Sequence, residues 1–487
     1  MDRHEDGSAG ADAAGAPAGE APLAGIRVLE FGYGVAAPVC CRNLAQFGAD
    51  AIRVESVRKP DSLRIVGAGW VPAEVPWEIL RDTGAAINFT CADKRSIGLE
   101  LDHPTGKAIF DRLVAQADVL VMNMSVDAVA GLGLTYEEMR RIKPDLIWMN
   151  MPSFGSLGGP YQTYRTWGRN IAAIAGISRL IGWPDRDPVG MTVNYPDYVA
   201  ALWGTVAVVC ALLQRDLTGE GCEIDVSQYQ VAVSCIGPTV MEAVLGGDGL
   251  GSLGNRLSGR APQGVYPARD RDTWVSVAVE DDSMWAALQS VPGLEALAAD
   301  PRFATVEGRL AHHDDIDAAI SSWTQRLTAW ETATELQAAG VAAHPVHDAF
   351  SLLADTHLHA REFFRVLPRP RFGRDLTYGQ AMTMSGTPPG LERGAPGFGE
   401  HTREILSGVG GLTDAEIQGA IDAGVAHEMI RPDLVLERPY LHWIGNLLPG
   451  EWPEASLDPA VIVHQRLSSD STVVTPLDPD GAEGDGR

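Results

Sequence analysis

IRVLEF at residues 26–31 runs directly into GYGVAA at 32–37, and AIRVE follows at 51–55, RSIGLELD at 95–102, DVLVMN at 118–123 and DLIWMNM at 145–151. Each is a short run rich in Val, Ile and Leu, the composition of a strand buried on both faces. Between them lie segments of helical period: Pro38 to Phe47, Pro104 to Gln116 with a proline suited to the first turn, and Tyr136 to Ile142. Strands alternating with helices of this length specify a parallel sheet covered by helices, a doubly wound α/β domain. Further on, an apolar helix is expected over Tyr198–Gln214, then a strand over Cys222–Val226. An antiparallel element is expected around Gly264–Val279, inside a smaller α+β domain. The expected division is a disordered segment at 1–21, a large domain at 22–226 resumed at 346–426, a small domain at 227–345 and an extension at 427–487.

The 487 residues carry 38 Lys and Arg against 64 Asp and Glu, a net charge of −26. Such a surface repels phosphate backbones, which argues against nucleic acid as a partner. No uninterrupted apolar run reaches the ~18–20 residues of a membrane span. The start, MDRHEDGSAGADAAGAPAGEAP, is acidic and has no apolar core of a signal peptide, so a cytoplasmic protein is expected. The six cysteines (40, 41, 91, 210, 222, 235) form no C-x-x-C pair and read as buried small hydrophobes. His312, His313, Asp314 and Asp315 have metal-ligand composition but read as the solvated start of a helix, and His401 reads as a structural residue before one.

Gly32-Tyr-Gly34-Val-Ala-Ala37 follows the first strand and opens a helix, formally G-x-G-x-x-A, and Glu55 ends the next strand at the ribose-binding distance. The residues alone therefore leave a nicotinamide enzyme open. It would need an acid or base later in the chain, and none stands out.

Several strings, read in order, resemble one family, the class III CoA-transferases, with the α-methylacyl-CoA racemases as relatives. They are Pro22-Leu-Ala-Gly-Ile-Arg-Val-Leu-Glu-Phe31, Phe47-Gly-Ala-Asp-Ala-Ile-Arg-Val-Glu55, Lys94-Arg-Ser-Ile97, Leu132-Gly-Leu-Thr-Tyr136, Gly221-Cys-Glu-Ile-Asp-Val-Ser-Gln228, Asp300-Pro-Arg-Phe-Ala-Thr305, Gly340-Val-Ala-Ala-His-Pro-Val346 and Gly399-Glu-His-Thr402. The resemblance implies a Rossmann-like large domain interrupted by a small one, in a dimer of interlocked subunits. It implies transfer of coenzyme A from an acyl-CoA thioester to a carboxylic acid, with CoA as substrate and no permanently bound cofactor or metal. A homodimer is the first expectation, and a hetero-oligomer with a homologous subunit the alternative.

The resemblance also places the catalytic residue at Asp197, just before the long apolar helix, as the nucleophile that takes the acyl group as an anhydride. Backbone N–H groups of the helix start would then stabilise an oxyanion. The residue types alone make Asp197 an N-cap. By resemblance, Val35, Arg64, Lys94, Arg95, Leu99, Asn123, Met124 and Arg165 are the CoA contacts, and Gly34, Trp167 and Tyr198 line the acyl pocket. Val35 disfavours a formate or oxalate substrate and points to a larger, less polar acid. The racemase branch uses a histidine and an aspartate where this chain has Trp167 and Gly168, so isomerisation lacks a second proton carrier. A non-catalytic subunit is the remaining alternative.

Overall fold

The computed structural model describes residues 21–64, 84–247, 251–369, 373–387 and 390–430. The extension with Trp443 and Trp452 and nearly all of the segment 1–21 lie outside the described residues. Two compact units emerge. The larger holds the chain up to Ile171, Val193–Ser234 and His359 onward; the smaller holds Ala172–Thr192 and Cys235–Leu358.

The larger unit is built on a seven-stranded sheet: β1 (Arg27–Phe31), β2 (Asp50–Glu55), β3 (Arg95–Leu99), β4 (Val119–Met122), β5 (Ile147–Asn150), β6 (Cys222–Asp225) and β12 (Ala426–His427). The order is β12-β3-β2-β1-β4-β5-β6, parallel throughout except for β12 at the edge. Alternate strand residues serve the two faces. Val28, Val119, Val121, Ile147 and Met149 join one core with the Ala36–Gln46 and Tyr195–Thr218 helices. Leu29, Leu120, Met122 and Trp148 join the other with the Pro104–Val114, Thr402–Gly408 and Asp414–Asp422 helices. Burial on both faces explains why these strands read as continuous apolar runs. An antiparallel pair, β10 (Phe364–Arg369) and β11 (Gly373–Tyr378), belongs to the same unit.

The smaller unit carries the antiparallel strands β7 (Gln263–Pro267), β8 (Trp274–Ala278) and β9 (Ala342–Pro345). Its core is built from Val275, Val277, Trp285, Leu288, Ile316, Ile320, Trp323 and Leu336. The small-domain boundary expected at 227 falls instead after Ser234, because Gln228–Ser234 is a helix of the larger unit. His313 is buried rather than solvated and accepts a hydrogen bond from the Gln263 amide, whereas Asp314 pairs with Arg256 at the surface. Cys40, Cys41 and Cys91 are buried as expected, but Cys210 and Cys235 are exposed.

The Tyr195–Thr218 helix is long and apolar enough, by length and composition, to cross a membrane. Ala200, Ala201, Gly204, Val208, Ala211 and Leu212 form its buried face, packed in the core. Its other face shows Leu202, Trp203, Val206, Val209, Leu213 and Leu217 to the outside.

Candidate active site

In a doubly wound sheet the crevice opens at the carboxyl ends of the strands where the strand order reverses, here between β1 and β4. The GYG turn leaves β1 at that point, and Asn123 follows β4. The Asn123 side chain bridges the two: its Oδ1 accepts from the Tyr33 amide at 2.8 Å, and its Nδ2 donates to the Tyr33 carbonyl at 2.7 Å. Gly34, at φ +72°, donates its amide to Asp61 Oδ2 at 2.9 Å. Two amides of the turn are thereby satisfied by side chains, and neither remains to cradle a pyrophosphate. Glu55 is buried against Arg53, Arg64 and Ser96, so it does not reach for a ribose. The dinucleotide fingerprint is thus a formal match, with the Tyr33 and Gly34 amides and the Glu55 carboxylate all engaged within the protein.

Beneath the turn lies a sealed charge network. Arg53 meets Glu30, Glu55 and Asp61; Lys94 donates to Glu30 and to the Pro38 carbonyl; Arg64 grips Glu55 with two nitrogens and reaches the Pro396 carbonyl. Burial alone would raise the Glu55 carboxyl, but Arg64 and Arg53 outweigh it and hold the group at about 2.

Most of the side chains expected at CoA are engaged with other parts of the protein. The Arg64 and Lys94 side chains are fully buried and engaged with carboxylates. Arg95 is bound by both oxygens of Asp50 and by Glu404. Leu99 is a core residue pairing with Ala426, and Val35 packs into the core at the start of its helix. Asn123 holds the turn, and Met124 lies half-buried with its backbone bonded to Asn150. Arg165 differs: it is exposed and makes no hydrogen bond or ion pair among the described residues.

Asp197 occupies a different position from the one expected. The helix begins at Tyr195, three residues earlier than the sequence suggested, so Asn194 is the N-cap and Asp197 sits within the first turn. The amides of Asp197 and Tyr198 both donate to the Asn194 carbonyl, at 3.1 and 3.4 Å. They are not the free oxyanion donors anticipated. The carboxylate caps nothing. Its Oδ2 is buried without a hydrogen-bond partner, and burial pushes the carboxyl up to about 6, against a smaller opposing pull from its own backbone N–H. Among the described residues no cation offsets that burial.

Gly168 makes this placement possible. A Cβ there would lie 1.9 Å from Asp197 Oδ2, so only glycine admits the carboxylate. Trp167 precedes it with its indole 63% exposed, meeting the Tyr33 ring edge-on at 6.1 Å. Tyr198 is half-buried against the core, its phenol pushed up by burial, then by Tyr378 and Asp197. The structure thus brings Asp197, Gly168, Trp167 and Tyr33 together. Tyr33 is the residue sequence reading passed over; its place inside the GYG turn was the available signal.

A buried carboxylate whose Oδ2 has no hydrogen-bond partner is in the environment that suits a nucleophile or a base. A family description, CoA-transferase family III, matches residues 23–402. Over 396 residues the chain is 31% identical to the succinyl-CoA–D-citramalate CoA-transferase of Chloroflexus aurantiacus, covering 81% of this chain and 96% of that protein. It is 30% identical over 400 residues to the succinyl-CoA–L-malate CoA-transferase beta subunit of the same organism, covering 81% and 96%. The crystal structure of a CAIB/BAIF family protein from Brucella suis superposes with a TM-score of 0.73 at 27% identity, over 80% of this chain and all of that one. With the expected order of motifs, the doubly wound sheet and the match over most of its length, this chain belongs to CoA-transferase family III.

Proposed function

We infer that the protein moves coenzyme A from an acyl-CoA thioester to a carboxylic acid through a mixed anhydride on Asp197. The observation that carries this reading is the buried, partnerless Oδ2 of Asp197 pressed against Gly168. A carboxylate stripped of water and of counter-ions is a stronger nucleophile than a solvated one. Its oxygen attacks the thioester carbonyl, the C–S bond breaks and CoA leaves as thiolate, giving an acyl-aspartyl anhydride. The thiolate then attacks the Asp197 carbonyl and releases the donor acid. The acceptor carboxylate attacks the resulting aspartyl thioester, and the thiolate finally takes the acceptor acyl group, restoring Asp197. No water enters any step, and each bond formed replaces one of similar energy. With a carboxyl at about 6, Asp197 is ionised at neutral pH, as this chemistry requires.

The test is mass spectrometry of the protein incubated with acyl-CoA thioesters and quenched with hydroxylamine. A modification on Asp197, absent from Asp197→Ala, is the expected result. Deuterium uptake at the substrate α-carbon without any adduct would assign an isomerase instead; absence of both, with no CoA binding, would leave a non-catalytic subunit.

A homodimer accompanies this reading. The outer stripe of the Tyr195–Thr218 helix, from Leu202 through Val206, Val209 and Leu213 to Leu217, is a continuous exposed apolar face, which supports burial against another subunit. Light scattering of the purified chain against Leu213→Arg checks this, with a monomer expected for the variant.

A further inference from the structure

We propose that Tyr33 and Trp167 form an aromatic wall that selects bulky, uncharged acyl groups, aromatic or branched, over acyl groups bearing a second carboxylate; this rests on the CoA-transferase reading above. The Tyr33 ring is fixed. Its amide and carbonyl are both bonded to Asn123, and its hydroxyl accepts from the Ser62 amide at 3.0 Å. A ring held at backbone and tip is a wall rather than a flexible cover. Against it stands Trp167, rings 6.1 Å apart at 62°, with most of the indole uncovered. Trp167 is joined to Gly168, which abuts Asp197 Oδ2, so the wall stands beside the reacting oxygen. Gly34, at the end of the turn, has nothing within 4 Å of where a Cβ would be, leaving space beside Tyr33.

Charge points the same way. A second carboxylate on the acyl group would be placed near ionised Asp197, which no cation among the described residues balances. Lys59 is a rival feature, its ammonium 5.8 Å from the centre of the Tyr33 ring. There it is held by the ring's π face, on an exposed side chain. An aromatic or branched group instead gains stacking and apolar contact with two rings, for a preference of about tenfold.

The experiment uses the full chain with benzoyl-CoA, isobutyryl-CoA and succinyl-CoA, and reads the rate at which each labels Asp197 under hydroxylamine trapping. Benzoyl- and isobutyryl-CoA are expected to label about tenfold faster than succinyl-CoA. Trp167→Ala and Tyr33→Ala are each expected to shrink the benzoyl-to-succinyl ratio about tenfold. Tyr33→Phe, which keeps the ring, is expected to keep that ratio, so a fold defect in the alanine variant does not obscure the result. Fastest labelling by succinyl-CoA, with that advantage lost in Lys59→Ala, overturns the proposal while leaving the transferase reading intact. Absence of labelling with all three thioesters overturns both.

Discussion

Replacing Asp197 by asparagine should abolish turnover and, at the same time, stabilise the protein in a pH-dependent manner. The folded-state pKa of about 6 lies above the usual 3.8, so the native state binds the proton more tightly than the unfolded chain. The sign follows: between those values stability falls as pH rises, and above 6 the full cost of the buried charge is present. At 1.36 kcal/mol per unit the cost is about 3 kcal/mol at pH 8, and about half of that at pH 5. Asparagine has nearly the same shape and no charge, but its amide is also buried without a partner, at a penalty that does not vary with pH. The difference between the two pH values removes that penalty. The stability gain of Asp197→Asn over the native chain should therefore be about 1.4 kcal/mol larger at pH 8 than at pH 5. Urea denaturation followed by tryptophan fluorescence at the two pH values measures it. A difference indistinguishable from zero would falsify the claim that Asp197 is held charged and uncompensated, and with it the electrostatic case for its nucleophilicity.

Four further outcomes are expected. Gly168→Ala drives a methyl group into Asp197 Oδ2 and should lower the rate of adduct formation about 100-fold while the circular dichroism spectrum is retained. Single-turnover rates should fall with unit slope as pH drops through about 6, the value for the Asp197 carboxyl, and Asp197→Glu, displaced by one methylene, should not reproduce the native profile. Lys94→Met should cost about 3–5 kcal/mol by leaving the buried Glu30 without one of its cations, and adding Glu30→Gln should recover a large part of that in a double-mutant cycle. Cys40, with its thiol pushed up to about 12 by burial, should resist iodoacetamide in the native protein; under the proposed homodimer, Cys210, exposed between Val209 and Leu213, should react faster in Leu213→Arg than in the native protein.

The parallel sheet was legible because burial on both faces writes itself as uninterrupted apolar residues, visible in VLVM at 119–122 and in IWM at 147–149. The Asp414–Asp422 helix starts on a reciprocal box between Thr413 and Glu416. The start of the Tyr195–Thr218 helix was misplaced because Asn194 makes no side-chain capping bond to mark it, and Pro196 lies inside the first turn. The carboxylate partners of Arg64 and Lys94 were hidden for a related reason. Arginine and lysine on loops are solvated by default, and nothing local in PDSLR or DKRSI shows that Arg64 and Lys94 meet carboxylates from β1 and β2. Such partners are distant in sequence, and only the strand order brings them together.

That network bears on why the Asp197 carboxylate goes uncompensated. Arg53, Arg64 and Lys94 are matched by Glu30, Glu55 and Asp61, so positive and negative charge cancel within one sealed cluster. A cluster that is neutral overall fixes the GYG turn through Asp61 and Gly34 without projecting a net field toward Asp197. Consistent with this, burial sets the Asp197 carboxyl and no arginine or lysine contributes. An unbalanced cation close to Asp197 would instead pull its carboxyl down, against the effect of burial. The balance of the cluster and the raised Asp197 carboxyl agree with one another, and Asp61 ties the cluster to the same turn that positions Tyr33.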